Sequence, residues 1–363
     1  MPIKFNPFYH ITPQIAADLV KIESVKEKVM HLPLNAKVLL SLRESARLYT
    51  THYSTMIEGN RLSPEEIKQV VENDQHFPGR ERDEGEVKTY YKALAQVEKW
   101  ADEEKKITEN LIKLLHAFAM AHGTTPKKGT PYRDGQNVIK DGKTKKIVYL
   151  PPESNDVPEL MHAFVDWLET NNQLPCPLRA AISHYQFATI HPYYDGNGRT
   201  ARLLTTFILH RDGYDLKGIY SLEEYYARNL QDYYNAISIG TSHNYYMGRA
   251  EADITPWIEY FMNGMLEAFE NVLKKMQEIK ITGLQDHEQI LRSLDPKQRK
   301  TLELFRKFEQ VTASQIATLF NFKPRTGSHL CAEWVKNGFL EIINFSKKGR
   351  KYTLSKKYHK LIL

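Results

Sequence analysis

The sequence is poor in the features of secreted and membrane proteins. Two cysteines, Cys176 and Cys331, occur among 363 residues; they lie far apart, form no metal-binding spacing and suggest no disulfide framework. No run approaches the roughly 18 apolar residues that a membrane-spanning helix needs. The opening MPIKFNPFYHITPQ lacks the basic segment and apolar core of a secretory signal. We therefore expect a cytoplasmic protein that does not enter a membrane.

The familiar signatures of nucleotide binding are also missing. No Walker A sequence and no kinase-type glycine-rich loop occurs, so a nucleotide would have to be held in another way. The charge, by contrast, is uneven. The net charge is +6, yet residues 294–363 carry 15 Lys and Arg against 5 Asp and Glu. A C-terminal part this basic suits an anionic partner.

Helical periodicity dominates the first 280 residues. Apolar residues follow helical spacing up to Gly59, and Ser63, Pro64 and Glu66 form a capping box that starts another helix. A later helix is expected to bury one apolar face: Leu111, Leu114, Leu115 and Phe118. The turn KDGKTKK between two β-like runs predicts a hairpin within residues 136–150. The expected fold class is mainly α with one inserted hairpin.

The stretch HPYYDGNGRTARLL, residues 191–204, gathers reactive side chains at the start of a predicted helix. Pro192 interrupts the preceding helix, and Gly196 and Gly198 allow a tight turn close to a ligand. The helix that starts near Arg199 directs its free N–H groups and positive dipole end towards that turn. Such a helix start is a typical anion site.

The charged residues of this stretch suit phosphate chemistry. Arg199 and Arg202 lie three positions apart and could both fork onto phosphate oxygens. Asp195 fits beside phosphate if Mg²⁺ lies between them, since Mg²⁺ favours one or two carboxylates plus substrate phosphates. His191, whose ordinary pKa is about 6.5, suits proton removal near neutral pH. Each feature alone is more often structural, but together they predict phosphoryl or nucleotidyl transfer to a protic nucleophile.

The stretch resembles the signature of the Fic family, H-x-F-x-[DE]-G-N-G-R-x-x-R. The one departure is Tyr193 where the family usually has Phe. The flanking YQFATIHP and the hairpin followed by YLPP are also similar to Fic proteins, and the resemblance covers roughly residues 40–245. The matching residues are His191, Asp195, Gly196, Asn197, Gly198, Arg199 and Arg202.

The resemblance implies AMP transfer from ATP to a Ser, Thr or Tyr hydroxyl of a target protein or of the chain itself. It implies that His191 deprotonates this hydroxyl and that Asp195 holds Mg²⁺. It gives phosphate binding to Gly196, Asn197, Gly198, Arg199 and Arg202. It also implies that the hairpin is a flap whose Ile147, Val148 and Tyr149 align the target. Tyr234, beside Tyr233, either lines the adenine pocket or is a core aromatic.

A second resemblance concerns STMIEGN, residues 54–60. Glu58 lies in the last turn of its predicted helix, facing the negative end of the helix dipole, so it is either solvated or paired with a cation. The segment resembles the inhibitory motif of Fic proteins, [ST]-x-x-x-E-[GN], through Ser54, Glu58 and Gly59. The resemblance implies that Glu58 pairs with Arg202, occupies the space of the γ-phosphate and holds the enzyme inactive.

From Pro296 the pattern predicts three short helices, with Thr312 as N-cap of the second, and a hairpin with a basic turn. This pattern is similar to a winged helix-turn-helix domain, which could bind DNA or dock a protein. Its recognition helix would begin with Arg325, Thr326, Ser328 and His329, and its wing would carry Lys347, Lys348, Arg350 and Lys351. The expected domains are 1–100 with the inhibitory helix, 101–280 with the catalytic core, and 281–363, with a linker at 280–295.

The favoured hypothesis is an ATP-dependent protein adenylyltransferase that Glu58 inhibits. One alternative is a DNA-binding regulator that senses nucleotide and catalyses little; another is a Fic protein that transfers a different group. The intact His191 favours catalysis, and the pair Arg199 and Arg202 favours a triphosphate donor. The sequence leaves open the target protein, what relieves inhibition, AMP removal and a homodimer.

Overall fold

The structure is a computed structural model that describes residues 3–34, 36–121, 125–140, 144–240, 242–344, 346 and 349–361. These residues are mainly helical, as predicted. They divide into two compact units, residues 1–275 and 276–363. No helix in the described part of the chain is both long and apolar enough to cross a membrane. The three-part domain division expected from the sequence stays a prediction.

Helices build nearly all of the first unit. In chain order they are α1 Pro13–His31, α2 Ala36–Ile57, α3 Pro64–Glu72, α4 Glu81–Asp102, α5 Glu109–Ala119, α6 Val157–Thr170, α7 Cys176–Ile190, α8 Asn197–Arg211, α9 Leu222–Arg228 and α10 Leu230–Ile237. The next helix, α11, covers Thr255–Ser293, so most of the segment interpreted as a linker is helical.

Two local predictions for the helices have different outcomes. The capping box at α3 is present: the Ser63 side chain accepts the N–H of Glu66, and the Glu66 carboxylate accepts the N–H of Ser63. The face predicted for α5 is confirmed in part, since Leu111 and Leu115 are buried. Leu114 and Phe118 are only half-buried. The buried face consists of Leu111, Ile112, Leu115, His116 and Ala119, so it includes a histidine.

The core of the first unit surrounds α7 and α8, which pack directly against each other. Almost every residue of α7 is buried, and the indole N–H of Trp257 in α11 donates to the Ala181 carbonyl at 2.7 Å. Helix α8 is also packed by α4 and α5. The loop between α7 and α8, residues 191–196, is hereafter the motif loop. Two buried helices therefore hold it at both ends.

The predicted hairpin is present as strands β1, Ile139–Lys140, and β2, Ile147–Tyr149. The strands are antiparallel, with Ile139 opposite Tyr149 and Lys140 opposite Ile147. Residues 141–143 of the predicted turn lie outside the described residues. We call this hairpin the flap, and residues 135–136 and 151–152 on either side of it the flap base.

The second unit has its own small core. Its elements are α12 Pro296–Phe305, β3 Val311–Thr312, α13 Ala313–Leu319, α14 Pro324–Lys336, β4 Leu340–Asn344 and β5 Lys351–Leu354. The strands form an antiparallel sheet in the order β3-β5-β4, and Trp334 and Phe339 lie in the core beneath it. Thr312 caps α13 as predicted, whereas β3 was not predicted. Lys347 and Lys348 lie outside the described residues, and the winged-helix interpretation stays a prediction.

Candidate active site

The motif loop is shaped by two residues in left-handed backbone conformation. His191 ends α7 with φ 52° and ψ 59°, and Gly196 precedes α8 with φ 73°. A Cβ at Gly196 would also come within 2.6 Å of the Met120 sulfur and 3.3 Å of His116 Nε2, so the Met120 side chain would have to move aside. Glycine is therefore favoured at this position, chiefly because of its left-handed conformation.

Asn197 stabilises the loop from within. Its amide oxygen accepts the N–H of Tyr193 at 3.0 Å, and its amide nitrogen donates to the Tyr193 carbonyl at 2.7 Å. Asp195 accepts the N–H of Gly196 at 2.6 Å. No side chain caps the N-terminus of α8. The Asn197 side chain is thus committed to loop structure, and the start of α8 offers its backbone N–H groups to an anion.

Arg199 is a buried cation with little compensation. Its side chain is 5% exposed, and its Nη2 lies 3.6 Å from an oxygen of Asp195, whose own side chain is 65% exposed. Its Nε has no hydrogen-bond partner among the described residues. A buried guanidinium is costly unless it is paired and hydrogen-bonded, so this position favours an additional anion.

Arg202 is fully engaged by the end of α2 and the residue that follows it. Its Nε donates to the Ser54 hydroxyl at 2.8 Å, and its Nη2 donates to the Ser54 carbonyl at 3.0 Å and to Glu58 Oε1 at 2.8 Å. Burial opposes the charge of Arg202, but the Glu58 carboxylate together with Tyr233 and Tyr90 outweighs it, so the pKa of the guanidinium is raised. Glu58 lies just beyond the last residue of α2, Ile57.

Glu58 also lies against Gly198, the second glycine of the motif. A Cβ on Gly198 would collide with Glu58 Oε1 and come within 3.2 Å of Arg202 Nη1. The carboxylate therefore lies at the start of α8, between its first turn and Arg202. This is the location where the helix dipole and free N–H groups favour an anion.

His191 is held as a neutral imidazole. Burial lowers its pKa to about 4; the Ala188 carbonyl, Glu58 and Asp195 oppose this shift, while Arg133 adds to it. Its Nδ1 lies 3.4 Å from the Ala188 carbonyl oxygen. Because that carbonyl can only accept, Nδ1 carries the hydrogen and Nε2 keeps a lone pair.

The three flap residues that the resemblance grouped together, Ile147, Val148 and Tyr149, differ in exposure. Ile147 and Val148 are exposed on the flap, but the Tyr149 side chain is buried and its hydroxyl donates to the Thr189 carbonyl at 2.7 Å. The Tyr149 side chain therefore anchors the flap, and the role of Ile147, Val148 and Tyr149 in aligning a target stays a prediction.

The two neighbouring tyrosines of α10 also differ. Tyr233 is a core residue whose hydroxyl lies 2.9 Å from His184 Nε2. Tyr234 is 43% exposed, and its hydroxyl lies 3.5 Å from the Ile57 carbonyl. Tyr234 is thus the one placed beside Glu58, where a ligand could reach it.

Two residues that the sequence analysis missed support the motif loop. His116 Nε2 lies 2.9 Å from the Asp195 carbonyl oxygen, and its ring stacks on Tyr193 with centroids 3.6 Å apart. Arg133 donates to the His191 carbonyl at 3.0 Å. The only sequence signal for His116 is its place on an apolar helix face, and Arg133 gives no signal from its spacing.

Residues 106–209 match the model of the Fic/DOC family. The chain carries a Fic domain. The domain runs from just before α5 almost to the end of α8, and it contains the flap, the motif loop and the two arginines. Glu58 precedes the matched residues in the sequence and reaches the domain through Arg202.

Curated relatives share this region. The chain is 31% identical over 200 residues to "Protein adenylyltransferase Fic" of Nematostella vectensis, which covers 54% of this chain and 45% of the relative. It is 29% identical over 216 residues to "Protein adenylyltransferase fic-1" of Caenorhabditis elegans, covering 58% of this chain and 41% of the relative. The chain thus spans less than half the length of these relatives.

Solved structures share the fold. A Fic family protein from Desulfovibrio desulfuricans G20 superposes with a TM-score of 0.64 at 23% identity, covering 97% of this chain and 99% of that one. Fic-1 from C. elegans, residues 134–508, gives a TM-score of 0.59 at 22% identity, covering 73% of each chain. At these identities the likeness shows the fold of the Fic domain.

Proposed function

We propose that the protein is an ATP-dependent adenylyltransferase that transfers AMP to a hydroxyl side chain of a protein, its own chain included. The observation that carries the proposal is the start of α8. There Arg199 is buried with an Nε that has no partner among the described residues, and Arg202 is paired with a carboxylate that comes from outside the Fic domain. Such a cradle suits the phosphates of a nucleotide. The names of the curated relatives agree with it.

The reaction needs one proton acceptor. The acceptor hydroxyl oxygen attacks the α-phosphorus, the bond to the pyrophosphate leaving group breaks, and the hydroxyl proton moves to Nε2 of His191. Since the imidazole is neutral at physiological pH, it is ready to take that proton. Arg199 and the N–H groups at the start of α8 stabilise the charge on the phosphates.

The residues present fit Mg²⁺. Asp195 offers one exposed carboxylate beside the proposed phosphate site. Among the described residues no group of three or more His, Cys, Asp or Glu side chains could form a complete metal cage. A single carboxylate next to substrate phosphates is the arrangement that Mg²⁺ tolerates. When bound, the ion would supply charge neutralisation on those phosphates.

Glu58 supplies autoinhibition in this proposal. Its carboxylate pairs with Arg202 and lies against Gly198, so it takes the place that a terminal phosphate would need. A nucleotide bound beside it cannot use Arg202, and its α-phosphorus is therefore misaligned for attack. AMP removal and the target protein are not assigned by these contacts.

The proposal is tested by asking which phosphorus of ATP reaches protein. The full chain, as wild type and Glu58→Gly, is incubated with Mg²⁺, a cell lysate and ATP labelled on either the α- or the γ-phosphate. Relative to lysate without the chain, we expect additional α-label but no additional γ-label on protein, with the mass of AMP on the modified peptide. Additional γ-label would mean a kinase-like reaction. No transfer of either label, with ATP still bound, would reject the enzyme and favour a nucleotide sensor.

We also propose a second function, DNA binding by the basic C-terminal unit. The observation that supports it is the close packing of α14 against α13. Gly327 allows the close approach, because a Cβ there would meet the Ala313 carbonyl and the Ala317 side chain. The first turns of α14 are left open to a partner, with Arg325, Thr326, Ser328 and His329 all exposed. Arg350 and Lys351, near the start of β5, are also exposed. This arrangement matches helix-turn-helix docking on DNA.

Duplex DNA is therefore expected to bind the full chain with a marked salt dependence. Replacing Arg325 or Arg350 by alanine should weaken binding and lower the slope of log K against log salt by about 1 for each phosphate that the variant no longer neutralises. The measurement is fluorescence anisotropy of a labelled duplex over a salt series. Lys307→Ala, an exposed lysine outside this surface, is the matched control. Identical slopes for all variants would point to a protein-docking role instead.

A further inference from the structure

Arg133 is a buried arginine that joins three segments of the Fic domain. It is 3% exposed and lies between α5 and β1. Its Nε donates to the His191 carbonyl at 3.0 Å, and its backbone N–H donates to the Pro192 carbonyl at 2.9 Å. Its Nη1 donates to the Gly135 carbonyl at 3.0 Å and to the Gln136 side chain at 3.2 Å, and its Nη2 donates to the Pro152 carbonyl.

The hydrogen bonds of Arg133 connect the motif loop to the flap base. One partner segment is the start of the motif loop, and the other two are the two halves of the flap base. The Gln136 amide, itself bonded to Arg133, donates to the Pro151 carbonyl at 3.0 Å and closes the flap base. The guanidinium thus fixes where the flap begins and ends relative to the backbone of His191.

The hydrogen bonds of the Arg133 guanidinium among the described residues go to carbonyl and amide oxygens, not to a carboxylate. Burial lowers its pKa, and Tyr194 and Glu153 oppose that shift only in part. Burying a cation on carbonyl oxygens alone is costly. A planar fork with five N–H donors can reach three segments at once, which a neutral amide or a lysine cannot do. That geometry accounts for an arginine at a place where its charge is unfavourable.

We propose that Arg133 is a positioning residue that fixes the position of the flap relative to His191. An acceptor hydroxyl of a target segment bound along the flap then lies next to the base. The inference rests on the proposed AMP transfer and names how two parts of that site are aligned. Alignment errors of about 1 Å cost about 10²-fold in rate. ATP itself is held by the start of α8, whereas the hydrogen bonds of Arg133 go to the motif loop and the flap base.

The test uses the full chain with Glu58→Gly as parent and adds Arg133→Gln or Arg133→Lys. We expect Arg133→Gln to lower the rate of α-label transfer to protein by about 10²-fold, with the Kd for ATP within about twofold of the parent. Arg133→Lys should be intermediate, since an ammonium can reach one carbonyl but cannot bridge all three segments. Arg179→Lys is the control, because Arg179 is equally buried but pairs with Asp212 at the other end of α7.

A second readout does not depend on activity. Hydrogen exchange is followed in peptides covering residues 144–152 and 188–195 and, for comparison, residues 197–211. Arg133→Gln should speed exchange in the first two and leave the third unchanged. Gln136→Ala, which removes one acceptor and the bond to Pro151, should show a smaller change of the same kind and serves if Arg133→Gln fails to fold.

The outcomes separate this inference from the proposed function. A parent that transfers nothing rejects the AMP transfer, and the exchange data then still decide whether Arg133 couples the flap to His191. If Arg133→Gln transfers AMP as fast as its parent, and hydrogen exchange at the flap base is unchanged, the positioning role is rejected while the proposed AMP transfer stands. Parallel loss of ATP binding and transfer would show that Arg133 is merely structural.

Discussion

Glu58→Gly is expected to raise AMP transfer on the order of 10²-fold above wild type. The change removes the carboxylate that lies 2.8 Å from Arg202 Nη2, while Arg202 itself is 1% exposed. Close charge pairs contribute about 1.5–7 kcal/mol, and this one belongs in the lower part of that range because the Glu58 side chain is 29% exposed. About 1.4 kcal/mol corresponds to a factor of ten. Releasing Arg202 to a phosphate should therefore change the rate by about two powers of ten. The measurement is the initial rate of α-label transfer at saturating ATP.

Two further variants decide whether the effect belongs to the charge of Glu58. Glu58→Gln keeps the size of the side chain and removes its charge, so we expect a rate between wild type and Glu58→Gly. Glu44→Ala alters an exposed glutamate earlier in α2 and should leave the rate at the wild-type value. If Glu58→Gly transfers AMP no faster than wild type, the carboxylate does not restrain the enzyme.

Residues that act together within a few positions of each other were predictable from the sequence. The cradle needs a turn, a helix start and side chains at fixed helical spacing, and all of these lie between His191 and Arg202. The capping box of Ser63 and Glu66 is local in the same way. The pair of Glu58 with Arg202 joins residues 144 positions apart. No spacing rule reaches that far, so only the family resemblance implied this contact.

The residues that were missed owe their roles to tertiary contacts. His116 lies on the buried face of α5, where the Asp195 carbonyl, 79 positions away, satisfies its Nε2. A histidine with such a partner can be buried, so the buried face of α5 includes a polar residue that apolar periodicity does not predict. Arg133 likewise acquires its role only when the flap base and motif loop meet around it. Strand β3 has two residues, too few for any alternation to appear.

His191→Ala in the Glu58→Gly parent is expected to lower AMP transfer by about 10²- to 10⁴-fold, the usual contribution of a general base. The cradle at the start of α8 is left intact, so the Kd for ATP should stay within about twofold of the parent. His184→Gln is the matched comparison, because His184 is a buried histidine of the neighbouring α7 whose two ring nitrogens lie within hydrogen-bond distance of Thr205 and Tyr233 in the core. It should reduce stability without a selective loss of rate. Equal loss of ATP binding and transfer in His191→Ala would contradict the role as base.

The pH dependence of the parent gives an independent test of the same role. Only neutral His191 accepts a proton, so the rate depends on the fraction of molecules in which His191 is neutral. Burial lowers the pKa of His191 to about 4, so this fraction falls only near that pH. The rate at saturating ATP should therefore hold as pH falls from 8 to about 5, well below the ordinary histidine value of about 6.5. Glu58 opposes the lowering, and its removal in the parent moves the acid limb to still lower pH. Measuring the Kd for ATP at each pH separates titration of the nucleotide. If the rate instead falls around the ordinary histidine pKa of about 6.5, His191 is solvated when the nucleotide is bound. The burial seen in this structure would then be lost when the site opens.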